Sequence, residues 1–211
     1  MFSILRDGSK VFSQLFEGSN MNVNSEVHFV TGRPLKGPFD TNFKKIVLGM
    51  GCFWGVERIF WNVSGVHATA VGYSGGVIKE PSYQQVCTGQ TGHNEVVLLY
   101  YDPKIVSLIT LLKFFWEGHD PTQGMRQGND IGTQYRSGIY TFTNEDLNIA
   151  KRSKEFYNKN LTRNGFNSIT TEIVRAKEFF YAEAYHQQYL AKNPNGYCGL
   201  GGTGVKFHDG P

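Results

Sequence analysis

Cys52 has the setting most suited to chemistry in this chain. It sits in KKIVLGMGCFWGVERIFWNV, between two stretches of opposite habit. KKIVLGM (44–50) is a short apolar run rich in branched residues, the pattern of a buried strand. After it, Val56, Ile59, Phe60 and Val63 recur at i, i+3, i+4 and i+7, one face of a helix. Cys52 therefore falls where a strand gives way to a helix. The first N–H groups of a helix have no internal partners, and its macrodipole favours an anion there. A cysteine so placed is expected to have its thiol pKa lowered and to act as a nucleophile. A small buried filler is the ordinary alternative for a cysteine.

Other groups could serve the same site. Phe53 and Trp54 follow Cys52 directly and could wall an apolar pocket beside the sulfur, or simply start the helix core. Cys198 lies in NPNGYCGLGGTGV, where glycines make the backbone easy to bend. A cysteine on such a segment can reach a fixed partner, as a resolving thiol must. GLGGTG also echoes a phosphate loop, but that motif needs a strand before it and a helix after it. Only seven residues follow Gly204, so the phosphate reading is rejected. Cys87, in SYQQVCTG, has nothing to distinguish it and is read as structural. Glu95 stands at the head of the apolar run EVVLLYY; a buried carboxyl there would stay protonated and could donate a proton. Asp130 lies in a glycine-punctuated stretch.

These groups need a frame. Strands are expected at 44–50, 66–76, 95–101, 137–142 and 168–175. Helices are expected after Cys52, after Ser107, from the Thr143–Asp146 capping signature to about Arg163, and briefly around 184–191. That order predicts an α+β domain, a two-layer sandwich with a ferredoxin-like mixed sheet, long coils and a Gly-rich C-terminal tail. Residues 118–138, with five glycines and little apolar content, form a loop long enough to suggest a functional role. Residues 1–42 read as an extension without its own core, followed by a compact part from near Lys44. The division is thus 1–42 and 43–211, the latter with a mobile tail at 193–211.

Composition narrows the class. Of 211 residues, 18% are charged and the net charge is +3, with no dense basic patch of the kind nucleic acid requires. No apolar run reaches the length of a membrane span. The first twenty residues have neither the long apolar core nor the cleavage signal of a secretory leader, so a cytoplasmic protein is expected. Three cysteines do not make a disulfide framework. There is no C-x-x-C and no H-x-x-x-H, and no metal or other cofactor is expected.

At this point a resemblance is clear. GCFWGVER (51–58) is similar to the signature of the A-class peptide methionine sulfoxide reductases. The similarity continues through GYSGG (72–76), TGHNEVV (91–97), FFWEGHDPTQGMRQGNDIGTQYRSGIY (114–140), YHQQYL (185–190) and NPNGYCGLGGTGV (193–205). It implies that Cys52 attacks the sulfur of a sulfoxide while Glu95 protonates its oxygen. Tyr83 and Tyr135 would hold that oxygen, with Asp130 supporting them, and Phe53 and Trp54 would take the substrate methyl. Methionine would leave, Cys52 would become a sulfenic acid, and Cys198 would condense with it into a disulfide that thioredoxin reduces. The resemblance further implies the S epimer, free or protein-bound, as substrate, a role in protein repair after oxidative damage, and an α+β fold with a ferredoxin-like centre. A monomer is expected. Related tails often carry another cysteine shortly after the Gly-Val pair; here Lys206 stands there, which points to a single Cys52–Cys198 bridge. His186 is read as a structural hydrogen-bonding group rather than a base.

Two rivals make different demands. A cysteine hydrolase would need a histidine within reach of Cys52 and an oxyanion hole. A module that only binds methionine or its sulfoxide would keep its affinity without Cys52.

Overall fold

A computed structural model describes residues 27–208. The expectation for residues 1–42 lies outside the described residues up to position 26. From Val27 onward the chain already packs on the body: Val27 and Pro34 form an isolated bridge, Leu35 is buried, and the His28 ring is fully enclosed.

Among the described residues, eight strands and five helices follow in this order: β1 (Lys44–Met50), α1 (Phe53–Phe60), β2 (Val66–Ser74), α2 (Tyr83–Cys87), β3 (Asn94–Tyr101), α3 (Leu108–Gly118), β4 (Arg126–Gln127), β5 (Asp130–Ile131), β6 (Ser137–Thr141), α4 (Asn144–Arg163), β7 (Glu172–Arg175), β8 (Phe179–Tyr181) and α5 (Tyr189–Lys192). Six strands form one mixed sheet in the order β7-β6-β1-β3-β2-β8. The pairings are antiparallel except β6 with β7, which is parallel. The α+β expectation holds. The four central strands match the expected ones closely. β7 is shorter than expected, because residues 168–171 belong to the approach loop, and the edge strand β8 was not foreseen.

Alternation along the strands decides which side each residue serves. Ile46, Leu48 and Met50 of β1, with Val97, Leu99 and Tyr101 of β3, join a core that includes Val56 and Phe60 of α1, Leu111, Leu112, Phe115 and Trp116 of α3, and Ala150, Tyr157 and Leu161 of α4. The opposite face is covered by a smaller cluster of Val47, Val96, Leu98 and Tyr140. Helix starts follow their caps: Ser107 accepts from the Thr110 N–H and Thr143 from the Asp146 N–H. Each satisfies an N–H that the first turn leaves unpaired.

The long segment after α3 is built rather than loose. Gln127 donates from Nε2 to the Asp120 carbonyl at 2.9 Å and accepts the Asp120 N–H at 3.2 Å. The β4–β5 hairpin and a 3-10 turn at Thr133–Tyr135 fill the rest. The C-terminal tail is docked: Phe207 is buried, and the Tyr157 hydroxyl donates to the Val205 carbonyl at 2.8 Å.

Candidate active site at the start of α1

β1 and β3 are hydrogen-bonded neighbours in the middle of the sheet. β1 ends at Met50 and β3 begins at Asn94, so the residues just beyond β1 and at the head of β3 emerge at one edge. Gly51 makes the turn with φ +99°, where a Cβ would also strike Gln127 at 2.7 Å. Cys52 is then the N-cap of α1. It is half-buried and is not in a disulfide. Glu95 is 2% exposed. The Phe53 N–H, in the first turn of α1, donates to Glu95 Oε2 at 3.2 Å and fastens the carboxyl beside the cysteine.

The expectation of a lowered thiol pKa at Cys52 is overturned. The thiol is pushed well up, first by burial and then, wherever its carboxyl is ionised, by Glu95, with Asp130 adding to it. The Trp54 and Gly55 N–H groups of the helix start do pull the other way, as a helix terminus should, but they are outweighed. Sequence spacing shows the terminus; it does not show how little water the sulfur meets. Glu95 behaves as anticipated for a buried acid. Burial raises its pKa from 4.5 to about 8, Asp130 adding to the rise and the Phe53 N–H opposing it. At neutral pH the site therefore holds a thiol and a protonated carboxyl. An attack from this sulfur would develop its negative charge only as the carboxyl delivered a proton.

The other expected residues gather around this pair. Tyr135 feels the charges of Glu95, Asp130 and Cys52, and Tyr83 those of Glu95 and Tyr135. Burial raises the pKa of both phenols, so they remain hydrogen-bond donors. Asp130, raised by partial burial, accepts a hydrogen bond from the Tyr197 hydroxyl at 3.2 Å. Phe53 is buried, with its ring 5.9 Å from Tyr73 and 5.1 Å from His186. Trp54 is half-buried and stacked on Tyr189 at 3.9 Å. Cys198 rests on α1: a Cβ on Gly55 would lie 2.9 Å from its Sγ.

Other residues complete the surroundings, of which Glu183 and the network around Glu57 were not foreseen. Trp54 Nε1 donates to His186 Nδ1 at 3.0 Å, which matches the expectation of a hydrogen-bonding rather than basic histidine. Burial lowers the His186 pKa to about 4, so the ring is neutral. Glu183 accepts from the Tyr73 hydroxyl and from the Tyr83 N–H, both at 2.9 Å, and so ties α2 to β2. Cys87, read as structural, is exposed and shares a hydrogen bond with the Tyr83 hydroxyl. Glu57, one turn into α1, is enclosed and hydrogen-bonded to Thr69 and Gln188, with His28 on the far side of Thr69. A glutamate midway along an apolar helix face was the one visible signal of that network.

Among the described residues, no group of three or more His, Cys, Asp or Glu is placed to hold a metal ion, and no helix is long and apolar enough to cross a membrane.

A partly buried cysteine facing a protonated carboxyl at a helix start defines a thiol-dependent enzyme class, and comparison with known proteins gives its family. The peptide methionine sulfoxide reductase model matches residues 44–205. A peptide methionine sulfoxide reductase MsrA of Brucella anthropi is 65% identical over 181 residues, covering 86% of this chain and 83% of that protein. Methionine sulfoxide reductase A of Corynebacterium diphtheriae superposes with a TM-score of 0.78 at 44% identity, covering 83% of this chain and 85% of that one. Mxr1 of Saccharomyces cerevisiae, in its complex with Trx2, gives a TM-score of 0.50 at 28% identity over 73% of this chain and 90% of that one. The chain belongs to the peptide methionine sulfoxide reductase family. It is an enzyme of the MsrA type and reduces methionine sulfoxide.

Proposed function

We propose that Cys52 and Glu95 carry out this reduction on the S epimer of methionine sulfoxide, free or within oxidised proteins. The observation that carries the reading is the Phe53 N–H bond to Glu95, which sets a buried, protonated acid beside the cysteine. Cys52 attacks the sulfoxide sulfur as Glu95 gives its proton to the oxygen. A sulfoxide oxygen is a poor leaving group until protonated, so the acid is essential. The Cys52 proton restores Glu95. The protonated oxygen leaves as water while the two sulfurs stay bonded; water then attacks the Cys52 sulfur, the S–S bond breaks as methionine departs, and Cys52 is left as a sulfenic acid.

Tyr83 and Tyr135 donate hydrogen bonds to the oxygen, supported by Asp130, and Phe53 and Trp54 bound the methyl pocket. Cys198 then condenses with the sulfenic acid, releasing water and leaving a Cys52–Cys198 disulfide. A thioredoxin-type protein reduces that bond; the Mxr1–Trx2 complex of the yeast relative supports this partner. With Lys206 in the tail there is no relay through a further cysteine there.

The central strands β6-β1-β3-β2, with α1 and α3 as their connections, read as a ferredoxin-like unit, and the single-sided helices as the second layer of a sandwich. The catalytic domain is taken as 43–211, with 1–42 as an extension before it and the tail from 193 as the segment that brings Cys198 to Cys52. The protein is proposed to be a cytoplasmic monomer acting in repair.

The test is incubation of each epimer of a blocked methionine sulfoxide with the enzyme and dithiothreitol. Methionine is expected from the S epimer alone, and none with Cys52→Ser. Product from the R epimer would remove the stereochemical part, and an acyl burst would favour a hydrolase instead.

A further inference from the structure

One side of α1 carries Cys52 at the N-cap, Gly55 three residues later and Arg58 three beyond that. Residues three apart on a helix are neighbours on its surface. Cys198 lies along this line. Its Sγ approaches so closely at Gly55 that a Cβ would sit 2.9 Å away, with Leu200 Cβ at 3.2 Å. Arg58 Nη2 donates to Cys198 Sγ at 3.0 Å. Beyond this point the tail is fastened. Gly202 lies directly against the Glu117 carbonyl. The Lys206 ammonium and the Phe207 N–H both meet the Glu117 carboxylate, at 3.1 and 2.8 Å. Before it, α5 stacks Tyr189 on Trp54. The Cys198 sulfur is therefore held on the same helix as Cys52, by a strap secured on both sides.

We infer that Gly55 and Arg58 form a dock for the resolving sulfur, with Arg58 as a positioning residue for disulfide closure. The inference rests on the reading of Cys198 as the resolving thiol. Gly55 leaves room for the sulfur at the helix surface. The guanidinium has only donors and keeps its charge, so it holds a sulfur lone pair without competing for the proton. In the step it serves, the Cys198 sulfur attacks the sulfur of the Cys52 sulfenic acid. The S–S bond forms as the S–O bond breaks. The thiol proton leaves with the departing hydroxyl as water; the Cys198 sulfur is oxidised and the Cys52 sulfur reduced. Positioning shortens the search between two thiol-bearing segments, as orientation does for any intramolecular reaction.

Arg58 also has an ordinary use as a cation in the last turn of α1, where it suits the helix dipole. That use predicts a change in stability but none in the fate of the sulfenic acid. Arg58 is exposed, so the contact is screened and its effect modest.

The test uses the full chain with one equivalent of blocked methionine S-sulfoxide and no reductant. Dimedone traps the Cys52 sulfenic acid, disulfide closure is followed by quench and mass spectrometry, and melting is recorded in parallel. Arg58→Met is expected to slow closure about five- to tenfold and to raise the dimedone adduct accordingly. Arg58→Lys should restore part of the rate, and Gly55→Ala should slow closure in the same direction. Cys198→Ser should leave the adduct dominant. Parental closure rates in both Arg58→Met and Gly55→Ala, with the adduct accumulating in Cys198→Ser, would overturn the dock alone. Parental closure in Cys198→Ser, with a Cys52–Cys87 bridge mapped, would overturn the resolving role of Cys198 and the dock with it.

Discussion

Replacing Glu95 by Gln should abolish turnover and at the same time stabilise the protein, increasingly so as the medium becomes alkaline. Burial is the main reason that Glu95 holds its proton from pH 4.5 up to about 8. The unfolded chain releases that proton near 4.5. Between these values the folded state binds the extra proton, so stability is full below 4.5 and is lost as pH rises through about 8. At about 1.4 kcal/mol per pH unit, the loss is roughly 3 kcal/mol by pH 7 and levels off at roughly 5 kcal/mol above pH 8. Gln keeps the shape and an oxygen for the Phe53 N–H but has no proton to lose. Urea unfolding of parent and Glu95→Gln at pH 5, 6, 7, 8 and 8.5 measures the difference directly, because all other titrating groups are common to both. The gap should be small at pH 5 and reach a few kcal/mol by pH 8. Parent activity should fall as pH rises through about 8, and the variant should lose at least about a hundredfold at neutral pH. Above pH 8, Cys52 in the variant should also alkylate faster than in the parent, since the neighbouring charge that opposes its ionisation is gone. A stability gap independent of pH would refute the reasoning, because it would mean that the carboxyl ionises as freely as in water.

Three further outcomes are expected. His28, held neutral down to about pH 4 by burial, accepts the Val30 and Thr31 N–H groups on Nδ1 and so donates from Nε2 to the Thr69 hydroxyl at 2.8 Å. The unfolded chain binds that proton near 6.5, so its share of stability is lost as pH falls from 6.5 to 4; His28→Ala should cost about 1–3 kcal/mol at pH 7 and flatten that acid limb in chemical denaturation. His186→Phe removes the acceptor of the Trp54 indole, and steady-state kinetics should show KM rising more than kcat falls, with kcat/KM reduced about three- to tenfold. Phe207→Ala should remove about 2–4 kcal/mol of docking for the tail, seen as faster amide exchange over residues 195–207 while β1 remains protected.

Much of this arrangement is legible from residue order alone, and what is not has a physical cause. The apolar run 44–50 and the 3.6-residue repeat after it place Cys52 at a junction, because periodicity is a local property. The capping residues Ser107 and Thr143 begin their helices as their side chains dictate. The proton affinity of Cys52 is not local: it depends on how deeply the folded chain buries the sulfur, and on a carboxyl forty-three residues away in the chain. The seat of Cys198 is likewise set by a helix far upstream and by the anchoring of Phe207. The three-residue strand β8 is too short and too aromatic for alternation to show. Residues 27–42, read as part of an extension without a core of its own, contribute a buried histidine whose partner Thr69 lies on β2.

Cys52 and Glu95, the pair proposed to react, leave from β1 and β3, two adjoining inner strands tied by a continuous ladder, whereas Tyr83, Asp130, Tyr135 and Tyr197 hang from the connections around them. Spacing of the sulfur and the acid is thus insulated from changes in the rim. An engineer seeking activity on bulkier thioether oxides can begin at Val77 and Ile131, which already face solvent, and leave Asp130 and Tyr135 in place.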